Sequence, residues 1–220
     1  MMTDRRAVTF ANGDLPDPAA VRAMLDPADL LIAADNGLAH LRALDLMPHL
    51  LVGDLDSITP EYLAAVQAAG VRIERHPPEK DETDLELALD RALEAGCRTI
   101  RIVAALGKRL DMTLGNVLLL TRPALRGLDV RLDDGCDEVR VIWDEITIHG
   151  RSGDRVSLLA VGDPSEGIET AGLVYPLAGE TLLPERTRGI SNVMAGDTAR
   201  VRLAGGLLIC IHTRQNLAKE

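Results

Sequence analysis

The sequence predicts an α/β domain with a parallel sheet, followed by a small all-β sandwich. Five strand–turn–helix units follow one another in the first part of the chain, and such units build a parallel sheet that is covered by helices on both faces. Short, partly alternating strands with close turns fill the rest, which is typical of a sandwich. We therefore divide the chain into a Rossmann-like domain, residues 1–138, and a β-sandwich domain, residues 139–220.

Each predicted strand of the α/β domain is a short apolar run that ends at a turn. These runs lie at residues 7–11, 30–34, 50–53, 71–75 and 99–104, with a sixth at 130–132. Apolar residues three or four positions apart predict helices at residues 18–25, 38–44, 60–69, 83–95 and 112–120. The clearest helix is 83–95, because Thr83 and Glu86 have the spacing of a capping box.

The second domain is predicted because the pattern of apolar residues changes near Glu138. Short strands follow at residues 139–143, 146–149, 156–160 and 198–203, and no helical stripe is present. Gly-Asp and Gly-Gly turns separate these strands, as at Gly153-Asp154 and Gly205-Gly206. The sequence contains no low-complexity linker and no internal repeat, so we expect the two domains to pack together.

Charge and cysteine content restrict the function. The chain carries 34 acidic and 24 basic residues, a net charge of −10, which argues against nucleic acid or an anionic membrane as the main partner. A small anionic ligand stays compatible if a metal ion and local basic residues offset the repulsion. Three cysteines without metal-type or disulfide-type spacing, and no apolar run of transmembrane length, predict a cytoplasmic protein.

Acidic residues follow the predicted strands with unusual regularity. Parallel strands collect ligands beyond their carboxyl ends, and helix starts also favour Asp. Helix capping alone does not easily explain four separate acidic loops, two of which carry paired carboxylates. The residues concerned are Asp35, Asp54, Asp56, Asp81, Asp84 and Asp111.

Asp54 and Asp56 are the strongest metal candidates. In an extended segment side chains alternate with period two, so both carboxylates would point the same way. Two close like charges favour a shared hard cation such as Mg²⁺. The alternative is an ordinary turn, because Gly-Asp and Asp-Ser are common turn pairs.

Two further loops could act on phosphate. In the loop 80–84, Thr83 is interpreted as a helix cap, Asp84 as a complement to the helix dipole or a metal ligand, and Lys80 as a solvated lysine. In the loop 107–111, a glycine lets backbone approach phosphate, Arg109 can bind phosphate oxygens in a fork, and Asp111 can hold metal or accept a proton. Together with the paired carboxylates, these loops indicate chemistry on a magnesium–polyphosphate complex.

One segment of the β domain could bind a heterocycle. Ser191 and Asn192 supply hydrogen-bond donors and acceptors for a ring edge, although the same residues also suit an ordinary turn.

The ordered set of motifs resembles the thiamine pyrophosphokinase family. The resemblance runs from about Asn12 to the end of the chain and crosses both domains. The residues that carry it lie at 34–37, 53–57, 81–85, 107–111, 153–158, 172–177 and 189–192.

The resemblance implies an enzyme that transfers the pyrophosphoryl group of ATP to the hydroxyl of thiamine, giving AMP and thiamine diphosphate. It further implies Mg²⁺ as cofactor, ATP as co-substrate, and a homodimer whose active site lies where one subunit's sheet edge meets the partner's sandwich. By correspondence, Asp54, Asp56 and Asp84 would hold Mg²⁺, and Asp56, Asp111 and Arg109 would be catalytic. The implied ATP-binding residues are Asp35, Asn36, Gly37, Lys80, Thr83 and Gly107, and the implied thiamine-binding residues are Ser191 and Asn192.

Three departures from the family pattern bear on the substrate. Met112 stands where the family usually has a histidine, so a titrating role at that position is lost. Asn36 replaces a usual glycine. Phe, Trp and Tyr make up only 2% of the chain, which leaves the ring-stacking partner of thiamine unassigned.

Three other functions stay open at this point. The acceptor could be another heterocyclic alcohol, such as a hydroxymethylpterin. Asp54-Leu55-Asp56 also looks like the nucleophile motif of haloacid-dehalogenase-type phosphatases, although that family places it on the first strand and here it follows the third. Finally, the Met112 replacement is compatible with a regulator that binds thiamine and ATP without turnover.

Overall fold

The computed structural model describes residues 5–215, and the chain divides into two compact units, Met1–Gly135 and Cys136–Glu220. Among the described residues, every helix is too short or too polar to cross a membrane.

The first unit alternates strands and helices from its first strand onwards. Its strands are β1 (Arg6–Phe10), β2 (Leu30–Ala34), β3 (Leu50–Gly53), β4 (Arg72–Arg75), β5 (Thr99–Val103) and β6 (Asp129–Asp133). Its helices are α1 (Pro18–Met24), α2 (Gly37–Ala43), α3 (Pro60–Ala68), α4 (Asp84–Glu94) and α5 (Leu110–Leu119), with a short 3₁₀ turn at Pro123–Leu125. The predicted elements of this unit are all present, and their ends differ from the prediction by at most two residues.

The sheet of the first unit is parallel, with the strand order β4-β3-β2-β1-β5-β6. Strands β2, β3 and β4 follow one another on one side of β1, whereas β5 and β6 lie on its other side. The direction in which strands are added therefore reverses between β4 and β5. All six carboxyl ends therefore lie at one edge, and the reversal opens a crevice between the ends of β1 and β5.

Helices cover both faces of this sheet. Val21 of α1, Leu38 and Leu41 of α2 and Val66 of α3 belong to one buried cluster, which also contains Phe10 of β1. Helix α4 packs against β1, β2 and β3, and its buried residues lie outside that cluster. Right-handed crossovers require this arrangement, because the connection from β4 to β5 runs back across the sheet.

The helix starts follow the predicted capping chemistry. Thr83 accepts a hydrogen bond from the backbone N–H of Glu86 at 3.2 Å, which caps α4. Thr59 caps α3 in the same way, with Pro60 at the first helical position.

The second unit is a sandwich of two antiparallel sheets. Its strands are β7 (Asp137–Ile142), β8 (Glu145–His149), β9 (Arg155–Ala160), β10 (Ser165–Ala171), β11 (Ala178–Leu182), β12 (Asn192–Val193), β13 (Thr198–Arg202) and β14 (Leu208–Thr213). In one layer four antiparallel strands have the order β12-β9-β14-β7, and the other layer is a four-stranded sheet with the order β11-β10-β13-β8. Ile142, Leu158 and Leu208 from the first sheet pack with Ile168 and Val201 from the second in one aliphatic core. The sandwich prediction is confirmed, while β10, β11, β12 and β14 were not predicted.

Candidate active site

Three carboxylates converge at the carboxyl edge of the parallel sheet. Asp35 follows β2, and Asp54 and Asp56 follow β3; one oxygen from each lies within 4.8 Å of the others. The hydroxyl of Ser57 donates to Asp35 Oδ2 at 2.9 Å, and the backbone N–H of Asp56 donates to Asp54 Oδ1 at 3.2 Å. We call Asp35, Asp54 and Asp56 the acidic trio.

The backbone between Asp54 and Asp56 is not the extended segment that the sequence analysis expected. Leu55 has φ 65°, a left-handed conformation that is unusual for a branched aliphatic residue, and its side chain is buried in the core cluster of the first unit. The chain therefore turns between Asp54 and Asp56 instead of running straight. The two carboxylates still converge, because burial of Leu55 fixes the turn.

The electrostatics of the trio show a site of unbalanced negative charge. Burial raises the pKa of Asp35 above its ordinary value, and the negative charges of Asp84 and Asp54 raise it further, whereas hydrogen bonds from Ser57 and the Asn36 N–H oppose the shift. Like charges held together in this way favour a bound cation. Three carboxylate oxygens so close to one another fit the oxygen ligands of Mg²⁺, with the remaining positions left to water or phosphate.

Asp84 lies beside the trio but is engaged elsewhere. Lys80 Nζ contacts Asp84 Oδ1 at 2.5 Å, and the Lys80 side chain is only 12% exposed. The lysine is therefore a partly buried partner of Asp84 and not a solvated loop residue. The predicted metal ligands were Asp54, Asp56 and Asp84. In the structure Asp35 takes the place of Asp84 in the group of close carboxylates.

A cavity of about 240 Å³ opens at the crevice between β1 and β5. Asn12 and Gly13 after β1, Asp35 after β2, and the segment 107–109 after β5 contribute to its lining. Asp84 also lines the cavity, as do Met112 and Asn116 of α5. The cavity lies where the strand order reverses, which is the usual ligand position in open α/β sheets.

The loop after β5 is shaped by close backbone packing. Gly107 has φ 80°, and a Cβ at this position would clash with the carboxylate of Asp14. Asn116, which is buried, donates from Nδ2 to the Ala105 carbonyl at 2.8 Å and fixes the start of the loop. These contacts hold the backbone of the loop against the cavity.

Arg109 and Asp111 form an exposed bidentate pair. Arg109 Nε lies 3.1 Å from Asp111 Oδ1, and Nη2 lies 2.5 Å from Oδ2. The Arg109 guanidinium, helped by the Met112 N–H, lowers the pKa of Asp111 below its ordinary value. Asp111 is consequently a weak base at neutral pH and suits hydrogen-bond acceptance better than proton storage.

The other residues of the predicted ATP set have identifiable local roles. Asn36 donates from Nδ2 to Asn12 Oδ1 at 3.0 Å. Gly37 allows α2 to approach β1, because a Cβ there would lie 2.5 Å from the carbonyl carbon of Phe10. Thr83 caps α4 and does not line the cavity.

Sequence reasoning missed Asn12 and Asn116 as cavity residues, and it included Lys108 only as part of the basic loop 107–111. Asn12-Gly13-Asp14 was interpreted only as a turn, although it follows β1 as the acidic loops follow β2 and β3. That shared position after a strand is the signal that could have identified it. Asn116 gave no such signal, because its role depends on the distance between α5 and the loop after β5.

The second unit has its own pocket, of about 130 Å³, next to the predicted heterocycle segment. Tyr175, Arg188, Ser191 and Asn192 line it with Leu158 and Leu177. Asn192 Oδ1 accepts from the Tyr175 N–H at 3.0 Å, and its Nδ2 donates to the Tyr175 carbonyl at 2.6 Å. Asn192 thus holds the backbone of Tyr175, whose side chain is among the exposed apolar groups of the described residues.

The acidic trio, the basic loop after β5 and the crevice of a parallel sheet define an α/β site suited to phosphate chemistry with a divalent cation. Comparison with known proteins gives the family. The model for the thiamin pyrophosphokinase catalytic domain matches residues 21–132, and the model for the thiamin pyrophosphokinase vitamin B1 binding domain matches residues 145–208. The chain belongs to the thiamine pyrophosphokinase family.

Individual relatives agree over nearly the whole length. Thiamine pyrophosphokinase from Bacillus subtilis (strain 168) is 30% identical over 86% of this chain and 89% of its own. Thiamine pyrophosphokinase 1 from Oryza sativa subsp. japonica is 28% identical, with 94% and 87% covered. The crystal structure of the Bacillus subtilis protein superimposes with a TM-score of 0.86 at 26% identity, covering 96% of this chain and all of that one.

Proposed function

We propose that this chain is an enzyme that transfers the pyrophosphoryl group of ATP to the hydroxyl of thiamine, giving AMP and thiamine diphosphate. The observation that carries the proposal is the pair of family matches, one within each structural unit. The same family assignment decides against the phosphatase hypothesis. In this proposal the first unit handles ATP and the second unit handles thiamine.

The nucleotide would occupy the cavity at the crevice between β1 and β5. Gly107 and Arg109 of the loop after β5 line it together with Asp35 and Asp84. We assign Mg²⁺ to the acidic trio, since the trio combines three close carboxylate oxygens with excess negative charge. Bound there, the ion would neutralise phosphate charge and polarise the phosphorus–oxygen bonds.

The reaction requires positioning more than a strong base. The thiamine hydroxyl oxygen forms a bond to the β-phosphorus while the bond from that phosphorus to the oxygen of the α-phosphate breaks, and AMP leaves. Because phosphoryl-type transition states are loose, the hydroxyl proton is released late and would pass to solvent water. Asp111, kept ionised by Arg109, would accept the hydrogen bond of the attacking hydroxyl and orient it, and Arg109 would bind the transferred phosphates.

Thiamine would bind at the pocket of the second unit. The exposed Tyr175 would supply the aromatic ring that the sequence left unassigned, and the exposed Ser191 would supply a polar contact. Asn192 contributes indirectly, by holding Tyr175 in place, and its second amide hydrogen stays available for the ligand.

We further propose a homodimer in the cytoplasm, in which one subunit's sheet edge and the partner's sandwich complete the active site. Leu110, Leu114 and Leu118 support the dimer, because they form an exposed apolar stripe along α5 that begins beside Arg109. Cys97 and Cys210 are buried thiols outside any disulfide, which supports a reducing compartment.

The direct test measures AMP release from ATP and Mg²⁺ with thiamine, with a hydroxymethylpterin, or with no acceptor. We expect AMP only with thiamine, and its loss when EDTA removes the metal. AMP release with the pterin alone would assign a different acceptor, and no acceptor-dependent AMP in any arm would refute the enzyme activity.

A further inference from the structure

Lys108 lines the cavity, and among the described residues its ammonium contacts only neutral groups. Its ammonium donates to the Asn12 carbonyl at 2.8 Å and to Asn12 Oδ1 at 3.2 Å, and both acceptors are neutral. The neighbouring cations are already paired with carboxylates, Arg109 with Asp111 and Lys80 with Asp84. Within residues 5–215, the Lys108 ammonium makes no ion pair, so its charge and its third N–H stay available to an anion.

The backbone of Lys108 is held in an unusual conformation. Its φ of 54° lies in the left-handed region, where a residue with a Cβ is disfavoured. Asp14 Oδ2 accepts a hydrogen bond from the Lys108 N–H at 3.2 Å, which helps to fix this conformation. Strained residues of this kind concentrate at ligand sites, where the surrounding contacts over-determine them.

Asn12 and Asn36 set the direction of the lysine side chain. Asn36 Nδ2 donates to the same Asn12 Oδ1 that receives the Lys108 ammonium. The three residues come from the loops after β1, β2 and β5, so the contacts cross the crevice where the strand order reverses. Asn36 has no charge, and its side-chain amide contacts Asn12.

We propose that Lys108 binds the polyphosphate chain of the nucleotide and that Asn36 is a positioning residue for it, acting through Asn12. The inference rests on the proposed function, because it takes the ligand of the cavity to be a nucleoside triphosphate. Lys108 and Asp35 both line the cavity from different loops, and Asp35 joins the cavity to the rest of the trio. A polyphosphate chain would then place metal-bound oxygens near the trio and other oxygens near the ammonium. A lysine suits this task as a compact point charge.

A purely structural brace between the loops is the competing explanation. A brace would affect every ligand of the cavity and the stability of the fold alike. A charge contact would affect only ligands that carry phosphate, and it would weaken with salt. These differences can be measured without turnover.

Titration calorimetry with three probes separates the explanations. The probes are Mg²⁺ with α,β-methylene-ATP, Mg²⁺ with inorganic tripolyphosphate, and adenosine. We expect Lys108→Gln to weaken both phosphate-bearing probes by about tenfold, as loss of a charge-assisted hydrogen bond does, with adenosine affinity unchanged. Lys108→Arg keeps the charge and should stay within about threefold of the wild type, and Asn36→Ala should give a smaller loss confined to the same two probes.

Arg72→Gln is the matched control, since it removes the same charge from a side chain that is 74% exposed at the amino end of β4, away from the cavity. It should leave all three affinities unchanged.

Wild-type binding of the nucleotide together with unchanged binding by Lys108→Gln would overturn the inference and leave the proposed function intact. Equal weakening of adenosine would also overturn it, in favour of the brace. A wild type that binds no nucleotide would refute the proposed function, and the inference with it.

Discussion

Replacing Gly37 by alanine tests whether α2 packs against β1 as the structure shows. An added Cβ would lie 2.5 Å from the Phe10 carbonyl carbon and 3.1 Å from the Ala11 carbonyl oxygen, and closer still to the oxygen of Phe10. The first distance is about 1 Å short of the ~3.5 Å at which two carbon atoms attract each other. The obstructing atoms are backbone, so the start of α2 must shift. We expect a loss of about 1–3 kcal/mol of unfolding free energy, the range for overpacking a filled core.

Gly115→Ala supplies the matched control. Gly115 is exposed in the middle of α5, and an added Cβ there meets nothing within 4 Å. Alanine should therefore stabilise the protein by up to ~1 kcal/mol through helix propensity. Urea unfolding of both variants gives the comparison, and the two midpoints should move in opposite directions. A Gly37→Ala variant as stable as the wild type would refute the close approach of α2 to β1, and would leave only a nucleotide contact to explain the glycine.

Three further substitutions test the site. Asp56→Asn should lower the turnover rate at least ~100-fold, the scale for lost transition-state charge stabilisation; near-normal turnover would remove Asp56 from the site. Asp35→Asn should raise the urea midpoint of the metal-free protein at pH 7, because a carboxyl whose pKa is raised on folding disfavours the fold while it is ionised. This advantage should disappear as the pH falls through the raised pKa, since wild-type Asp35 is then protonated, and an advantage independent of pH would contradict that origin. Asn192→Ala should raise the KM for thiamine more than the KM for ATP, because Tyr175 loses both hydrogen bonds to the Asn192 amide; equal effects on both substrates would argue against a local role.

The acidic edge was predictable because it depends on topology alone. Successive strand–helix units bring every strand's carboxyl end to one edge, so Asp35, Asp54, Asp56 and Asp84 could all be assigned to that edge without coordinates. Their grouping was not predictable. Loops after β2 and β3 are neighbours in the sheet order, and Asp84, which follows β4 in the chain, is paired with Lys80. Sequence spacing carries no information about such pairing across loops.

The missed strands of the sandwich have local explanations. The fully buried residues of β10, Ser165 and Ile168, are three positions apart, because the register shifts between them at a bulge that contains Gly167, and the period of two is lost. Strand β14 is central, between β7 and β9, and is nearly continuous in apolar residues, so it shows no alternation. Strand β12 is only two residues long.

The fate of the α- and β-phosphates tests the central claim most directly. A single reaction of the purified protein with ATP, Mg²⁺ and thiamine can be followed by ³¹P NMR until ATP is consumed. Pyrophosphoryl transfer predicts AMP and thiamine diphosphate in equal amounts, with no ADP. Formation of ADP with thiamine monophosphate, or release of inorganic phosphate without thiamine, would contradict the account.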